Sequence, residues 1–340
     1  MPPITETITK FLPQWLNQGQ SLAPRGQLPQ YIPQLAQVNP ELIALGIAFK
    51  EESIIWGYQD PTKFFGSSIG DSRIITNDIH DHSVLPQFPL MSIIKPFLFL
   101  YVLQTFGLEQ VLTLVNTNAS DLPFNVIPTG KPPNPMLNCG AIALCSLLVN
   151  DGVNDHDQQN IHNGTCQGSH RFQNWLQQII EQSATATSHV PINLLIDYEM
   201  LNSVRSVPLR RNLAIADTLE ALGIITDGAA ALAIYEEICC FTTNVIGLAR
   251  LGQSLLNVAP LTELVLQVMT HCGMYSYSAE FTKNVGIPAK SAVSGAILGI
   301  LPQRAAIAVY SPPLDAIGNS LAGLFLLSQV IEISALHNEV

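Results

Sequence analysis

Charged side chains are scarce in this chain of 340 residues, where Asp, Glu, Lys and Arg together make up 12%. Basic residues are the scarcer sign: 15 Lys and Arg stand against 26 Asp and Glu, a net charge of −11. A surface of that sign repels polyphosphate backbones and excludes nucleic-acid binding through a basic face. Long apolar runs are missing too. The most hydrophobic stretches, around 97–102, 292–301 and 321–327, fall short of the roughly 18 residues a membrane-spanning helix needs. The six cysteines (Cys139, Cys145, Cys166, Cys239, Cys240 and Cys272) form no CxxC pair. That spacing predicts buried thiols in a reducing compartment, not a disulfide framework or a zinc knot. Met1–Glu6 lacks a basic region leading into an apolar one, so no secretory signal is expected, and the expected address is cytoplasmic. GxGxxG, Walker and HExxH patterns are absent, which leaves nucleotide and zincin chemistry without support.

What the chain does have is apolar mass, 47% hydrophobic residues, enough for a sizeable core. Residues 1–30 carry several Pro and Gln and read as a surface lead-in with one short helix near Ile8–Leu16. Two apolar runs, Leu42–Phe49 and Ser53–Trp56, flank Lys50-Glu51-Glu52 and predict a hairpin. The polar segment 60–88 reads as a loop or insertion. Beyond Pro89 the spacing turns helical over Ser92–Thr105, Gly140–Val149, Asn212–Gly223, Ala229–Phe241 and Leu261–Met269. Strand-like runs return at Ala292–Ile300 and Ala305–Tyr310, followed by a helix over Leu321–Ala335. Strands at both ends with helices between them predict an α/β (α+β) fold: a mixed or antiparallel sheet built from both termini, flanked by helices, with an all-helical domain inserted. The expected division is a lead-in over 1–30, a sheet domain over 31–91 and 262–340, and a helical domain over 92–261, with the cleft between the last two.

Of the seven lysines only Lys95 has a serine three residues earlier. Ser92-Ile93-Ile94-Lys95 at a helix start places both side chains on one face. Apolar neighbours would lower the lysine pKa, and a neutral amine could then take the serine proton. The plain alternative is a capping serine and a lysine that reaches to solvent. Lys290-Ser291-Ala292 ahead of a strand is a second, weaker signal, since a Lys-Ser/Thr-Gly strand lines the cleft of penicillin-binding-type hydrolases. His80 and His82, with Asp78 and Asp81, have no third ligand motif and read as a solvated loop, so no metal is expected.

Several longer motifs carry more weight: Tyr31-Ile-Pro-Gln-Leu-Ala, Asn134-Pro-Met-Leu-Asn-Cys-Gly-Ala-Ile, His271-Cys-Gly-Met-Tyr, Gly286-Ile-Pro-Ala-Lys-Ser and Ser311-Pro-Pro-Leu-Asp-Ala-Ile-Gly-Asn-Ser. With them the sequence, from about Tyr31 to its C-terminus, resembles the serine-dependent glutaminases. The resemblance implies the serine β-lactamase-like fold and hydrolysis of L-glutamine to L-glutamate and ammonia through an acyl-serine intermediate, without a cofactor. It implies Ser92 as nucleophile, Lys95 as base and Tyr275 as proton relay to the leaving ammonia, with Tyr31 nearby. The backbone N–H groups of Ser92 and Val293 would form the oxyanion hole, and Asn138, Asn212 and Tyr235 would grip the amino-acid end of the substrate. A homodimer or homotetramer is implied as well.

The chain also departs from the family pattern. The family places a glutamate for the substrate's α-ammonium seven residues before the Asn of its Arg-Asn pair, where this chain has Arg205, or Val204 if one residue is inserted. An arginine there is expected to repel an ammonium. Met91 replaces a family glutamine, Ala292 replaces the glycine of Lys-Ser-Gly, and segment 58–88 is longer than the family connection. These departures keep two alternatives open: a serine amidase of altered specificity, and a non-catalytic binding or regulatory protein on the same fold.

Overall fold

A computed structural model describes residues 3–50, 54–59, 73–76, 85–120, 130–149, 166–182, 192–207, 211–257 and 259–336. Helix α1 (Ile4–Leu22) leads into the hairpin β1 (Ile43–Phe49) and β2 (Ile54–Gln59), then β3 (Arg73–Thr76) and β4 (Phe88–Pro89). The middle of the chain is helical: α2 (Ile94–Phe106), α3 (Leu108–Leu114), α4 (Asn138–Val149), α5 (Gln167–Gln182), then β5 (Leu195–Ile196), α6 (Tyr198–Arg205), α7 (Arg211–Ala221) and α8 (Gly228–Cys239). After β6 (Phe241–Thr243) come α9 (Val245–Gln253), α10 (Pro260–Cys272) and α11 (Ser278–Asn284). The chain returns to strand in β7 (Ala289–Ser291), β8 (Ala296–Leu301) and β9 (Ala305–Tyr310), and ends in α12 (Leu321–Leu336).

The main sheet runs β3-β2-β1-β9-β8-β7, so the first strands of the chain and the last share one sheet, as the sequence predicts. Every pairing in it is antiparallel, with Ala44 opposite Tyr310 and Ala296 opposite the same tyrosine from the other side. Both faces are covered, which explains strands without polar alternation. Ile43, Leu45, Ile47, Ile307 and Val309 point to the face packed by α1 and α12. Ala44, Ala48, Ala306 and Ala308 point to the opposite face, under α9 and the helical region. Small residues on that second face let α9 approach the strands closely.

The structure alters several expectations. The first helix spans Ile4–Leu22 and not only Ile8–Leu16; Ile8, Leu12, Trp15, Leu16 and Gly19 form a buried helical stripe on the sheet, and Pro13 sits inside without ending it. The strand expected over Ala292–Ile300 begins only at Ala296 (β8), because a tight turn over 292–295 follows β7, which ends at Ser291. Gly295 makes that turn with φ +93, and a Cβ there would lie 2.4 Å from the Ser311 carbonyl oxygen. A small second sheet, β4-β6-β5, holds the chain just ahead of Ser92. Asp78, His80, Asp81 and His82 lie outside the described residues.

Candidate active site

Ser92 stands in a 3₁₀ turn, Met91–Ile93, that feeds directly into α2. From Ile94 to Leu103 that helix is buried on every side, which matches its unbroken apolar sequence. Lys95 is its one charged side chain and is 1% exposed. Burial lowers the lysine pKa from the ordinary 10.5 to about 8, against an opposing pull from the Cys239 and Cys139 thiols. Lys95 Nζ donates to Asn138 Oδ1 at 2.6 Å and to the Met136 carbonyl at 3.1 Å. The alternative of a lysine reaching to solvent is therefore set aside by its position.

Tyr275 follows the C-terminus of α10 and opens a second 3₁₀ turn, Tyr275–Tyr277. Its hydroxyl donates to the Ser291 carbonyl at 3.2 Å and shares a hydrogen bond with the Ser92 side chain. Burial pushes the phenol pKa up, so Tyr275 stays protonated near neutrality. Met91 and Tyr275 are both in left-handed backbone, φ 46 and φ 56. Such backbone costs on the order of 1–3 kcal/mol and persists where the surroundings over-determine it. Two of the three non-glycine residues with positive φ among those described thus adjoin or carry the candidate chemistry.

Beneath Tyr275 lies Lys290, the weak signal of the sequence. It is fully buried, with Nζ donating to the Gly273 carbonyl at 3.0 Å and the Ser291 carbonyl at 2.5 Å, and it sits 4.4 Å from the centre of the Tyr275 ring. Burial, and next the nearby charge of Lys95, drive its pKa well down. Ser291 N also donates to the Gly273 carbonyl, at 3.1 Å, so α10 is stitched to β7. Only glycine permits this approach, since a Cβ at 273 would lie 1.8 Å from the Ala289 carbonyl oxygen. Val293 occupies the turn after β7, and β7 and β8 both pack on the Ser92 turn.

The residues expected to hold the amino-acid end are brought together. Asn138 begins α4, Asn212 lies in the first turn of α7, and Asn138 Nδ2 donates to Asn212 Oδ1 at 2.9 Å. Tyr235 on α8 donates to Asn138 Oδ1 at 3.0 Å, so that oxygen serves Tyr235 and Lys95 at once. Tyr31 is 57% exposed at the rim, within electrostatic reach of Tyr275 and of Arg211.

Arg205 does not present an unmatched charge, contrary to the repulsion expected from its position. Its Nε lies 3.1 Å from Glu236 Oε2 and its Nη2 lies 3.9 Å from Glu237 Oε1, both on α8. Glu237 also accepts from Cys166 N at 3.0 Å and from the Ser169 hydroxyl, which anchors the start of α5. Local pattern carries no sign of this pairing, because 31 residues separate Arg205 from Glu236. Val204 is partly buried against the helical core. Among the described residues no group of three His, Cys, Asp or Glu could hold a metal, and no helix is long and apolar enough to cross a membrane.

Comparisons with known proteins agree with this geometry. The glutaminase family model matches residues 26–338. A glutaminase of Synechocystis sp. is 33% identical over 339 residues, covering 96% of this chain and 90% of its own. One from Trichormus variabilis is 30% identical, with 92% and 84% covered. The structure of Mglu in its native form superposes with a TM-score of 0.74 at 25% identity, covering 96% of this chain and 71% of that one. The structure of the probable glutaminase ybaS gives 0.70 at 27% identity, covering 95% and 97%. The antiparallel sheet built from both chain ends, the interposed helices and these matches together place the chain in the glutaminase family, with its serine β-lactamase-like fold.

Proposed function

We propose that the protein hydrolyses the side-chain amide of L-glutamine to L-glutamate and ammonia, with Ser92 as the nucleophile. The observation that carries this reading is Lys95: a buried amine with its pKa near 8, one helical turn from a serine whose hydroxyl meets Tyr275. A lysine of ordinary pKa would hold its proton at neutral pH, whereas this one is in part a free amine.

Ser92 Oγ attacks the amide carbon as Lys95 accepts its proton. The C=O electron pair moves onto oxygen, where the N–H groups of Ser92 and Val293 stabilise the negative charge. Collapse of this intermediate breaks the C–N bond, and Tyr275, protonated at this pH, passes a proton to the departing nitrogen. Lys95 passes the proton it took from Ser92 to the Tyr275 oxygen; water then attacks the acyl-serine with Lys95 again as base, that proton goes to Ser92 Oγ as the acyl C–O bond breaks, and glutamate leaves. Asn138, Asn212, Tyr235 and Tyr31 bind the amino-acid end. We take the sheet domain (31–91 and 262–340) and the helical domain (92–261) as the two walls of the cleft. Six free thiols support a reducing, cytoplasmic address, and the family resemblance supports a homo-oligomer, which light scattering would size.

The test is ammonia release from L-glutamine by the purified chain and by Ser92→Ala, together with labelling by 6-diazo-5-oxo-L-norleucine. One structural neighbour, a probable glutaminase from Bacillus subtilis, is complexed with that compound. Turnover by the wild type alone, with the label on Ser92, is the expected result. Equal turnover by Ser92→Ala would overturn the assignment.

A further inference from the structure

Among the described residues Tyr275 is the one tyrosine in left-handed backbone, a region disfavoured for a side chain of its bulk. Three residues on, Ser278 holds it there. Ser278 is the first residue of α11 and is 4% exposed. Its Oγ donates to the Tyr275 carbonyl at 2.8 Å and accepts from Met274 N at 3.0 Å. The Ser278 backbone N–H reaches the same Tyr275 carbonyl. One hydroxyl therefore clasps the main chain on both sides of the Tyr275 Cα. The ring has neighbours of its own: Lys290 Nζ lies 4.4 Å from its centre, and a Cβ at Gly318 would come within 3.8 Å of Cε2 at its edge. Those contacts bear on the ring, whereas the serine bears on the backbone from which the ring springs.

We propose that Ser278 is a positioning residue for Tyr275, locking the left-handed main chain at 275 so that the phenol is held where its proton is delivered. The inference rests on the reading of Tyr275 as the proton relay. The Tyr275 hydroxyl donates to the Ser291 carbonyl at 3.2 Å, at the end of β7 and just ahead of the turn that carries Val293. That hydroxyl is the far end of a rigid side chain. A main-chain rotation of about 10° at 275 displaces it by about 1 Å, a misplacement that can cost on the order of 10²-fold in rate. Serine suits the place because one small hydroxyl both donates and accepts. Alanine there strands the N–H of Met274, a residue 1% exposed, and removes one of the two bonds from residue 278 to the Tyr275 carbonyl. Ser278 is itself anchored, since Thr282 Oγ1 donates to its carbonyl at 2.9 Å and to the Thr270 carbonyl of α10 at 2.9 Å.

The variants that test this are Ser278→Ala, which removes the hydroxyl, and Ser278→Thr, which keeps it. Tyr275→Phe serves as the control for the relay itself. Steady-state kinetics on L-glutamine are measured for each, with backbone hydrogen exchange and thermal unfolding on the same preparations. The expected result for Ser278→Ala is a fall in kcat of about tenfold, with KM within about threefold of wild type. Exchange should quicken over 274–277 while the strands of the main sheet exchange as before. Ser278→Thr should return kcat to within about threefold of wild type and restore slow exchange. Wild-type kcat in Ser278→Ala would overturn the proposal. So would a loss that falls on KM, or one accompanied by faster exchange throughout the chain, because that pattern belongs to general destabilisation. Should Ser278→Ala not fold, Ser278→Cys takes its place against the same outcomes, with a smaller fall in kcat expected from its weakly bonding thiol. Wild-type turnover by Tyr275→Phe would sink the relay reading and the proposal with it, whereas a slow Tyr275→Phe beside an unimpaired Ser278→Ala sinks the proposal alone.

Discussion

Lys290 and Tyr275 form a face-on pair, the lysine nitrogen 4.4 Å from the ring centre, although one belongs to a sheet strand and the other to the turn after α10. The same nitrogen bonds the carbonyls of Gly273 and Ser291, which flank the tyrosine from two directions. Its location makes it a support for Tyr275. In Lys290→Met both carbonyls keep one donor each, Ser291 N and the Tyr275 hydroxyl, so stability should change by no more than about 1 kcal/mol. The loss should fall on kcat, by tenfold or more, as the ring loses its footing. Thermal unfolding and steady-state kinetics on one preparation separate the two effects. A collapse of stability would show that Lys290 is structural instead.

Lys95 sets the pH dependence. Its pKa of about 8 means the free amine is lost as pH falls through that value, so kcat/KM should drop about tenfold per unit below it. A profile flat down to pH 5 would remove Lys95 as the base.

The same lowered pKa has a consequence for stability, in a higher pH window. The unfolded chain holds the Lys95 proton up to the ordinary 10.5 and the folded chain releases it near 8, so between those values the unfolded state binds more protons and stability from this group rises with pH. Below pH 8 the folded chain bears a buried cation. Lys95→Met should therefore unfold at a higher temperature than wild type at pH 7, with the gap narrowing by pH 10, while losing turnover. Calorimetry at the two pH values measures the narrowing.

Glu237 ties three helices together, taking Cys166 N and the Ser169 hydroxyl of α5 as well as the more distant Arg205 of α6. Glu237→Ala strands those donors and should cost about 2–4 kcal/mol. Arg205 is 39% exposed, and Arg205→Ala should cost less, about 1 kcal/mol, since solvent can reach the pair. Urea denaturation of both variants checks the order. Equal costs would mean that the ion pair outweighs the α5 anchor.

Gly273→Ala would place a Cβ 1.8 Å from the Ala289 carbonyl oxygen, and neither backbone can yield without moving Tyr275 or β7. A loss of about 3 kcal/mol together with most of the activity is expected. An active variant with an unchanged melting temperature would mean that the α10–β7 contact opens readily to admit a methyl group.

Much of the site was legible because it is local. A serine and a lysine three residues apart on one helix face need no tertiary knowledge, Tyr275 and Asn138 sit inside motifs long enough to identify by resemblance, and Val293 lies two residues beyond another. That both chain ends share one sheet was legible because apolar strands at both ends must pair to bury themselves. Less readable was α1, whose Pro13 obscured a helix of 19 residues. The β7–β8 boundary was hidden as well, since the residues on either side of Gly295 continue one apolar run.

By itself the sequence determined the candidate nucleophile and base, a sheet shared by both chain ends and the family, since each rests on short-range spacing or on contiguous motifs. Only the tertiary structure decided the state and company of those groups. Whether Lys95 is a surface cation or a buried amine depends on which helices close over α2. Whether Arg205 repels a substrate or is matched depends on where α8 lies against α6. These are properties of contacts between segments that the chain keeps tens of residues apart, and local pattern carries no record of them.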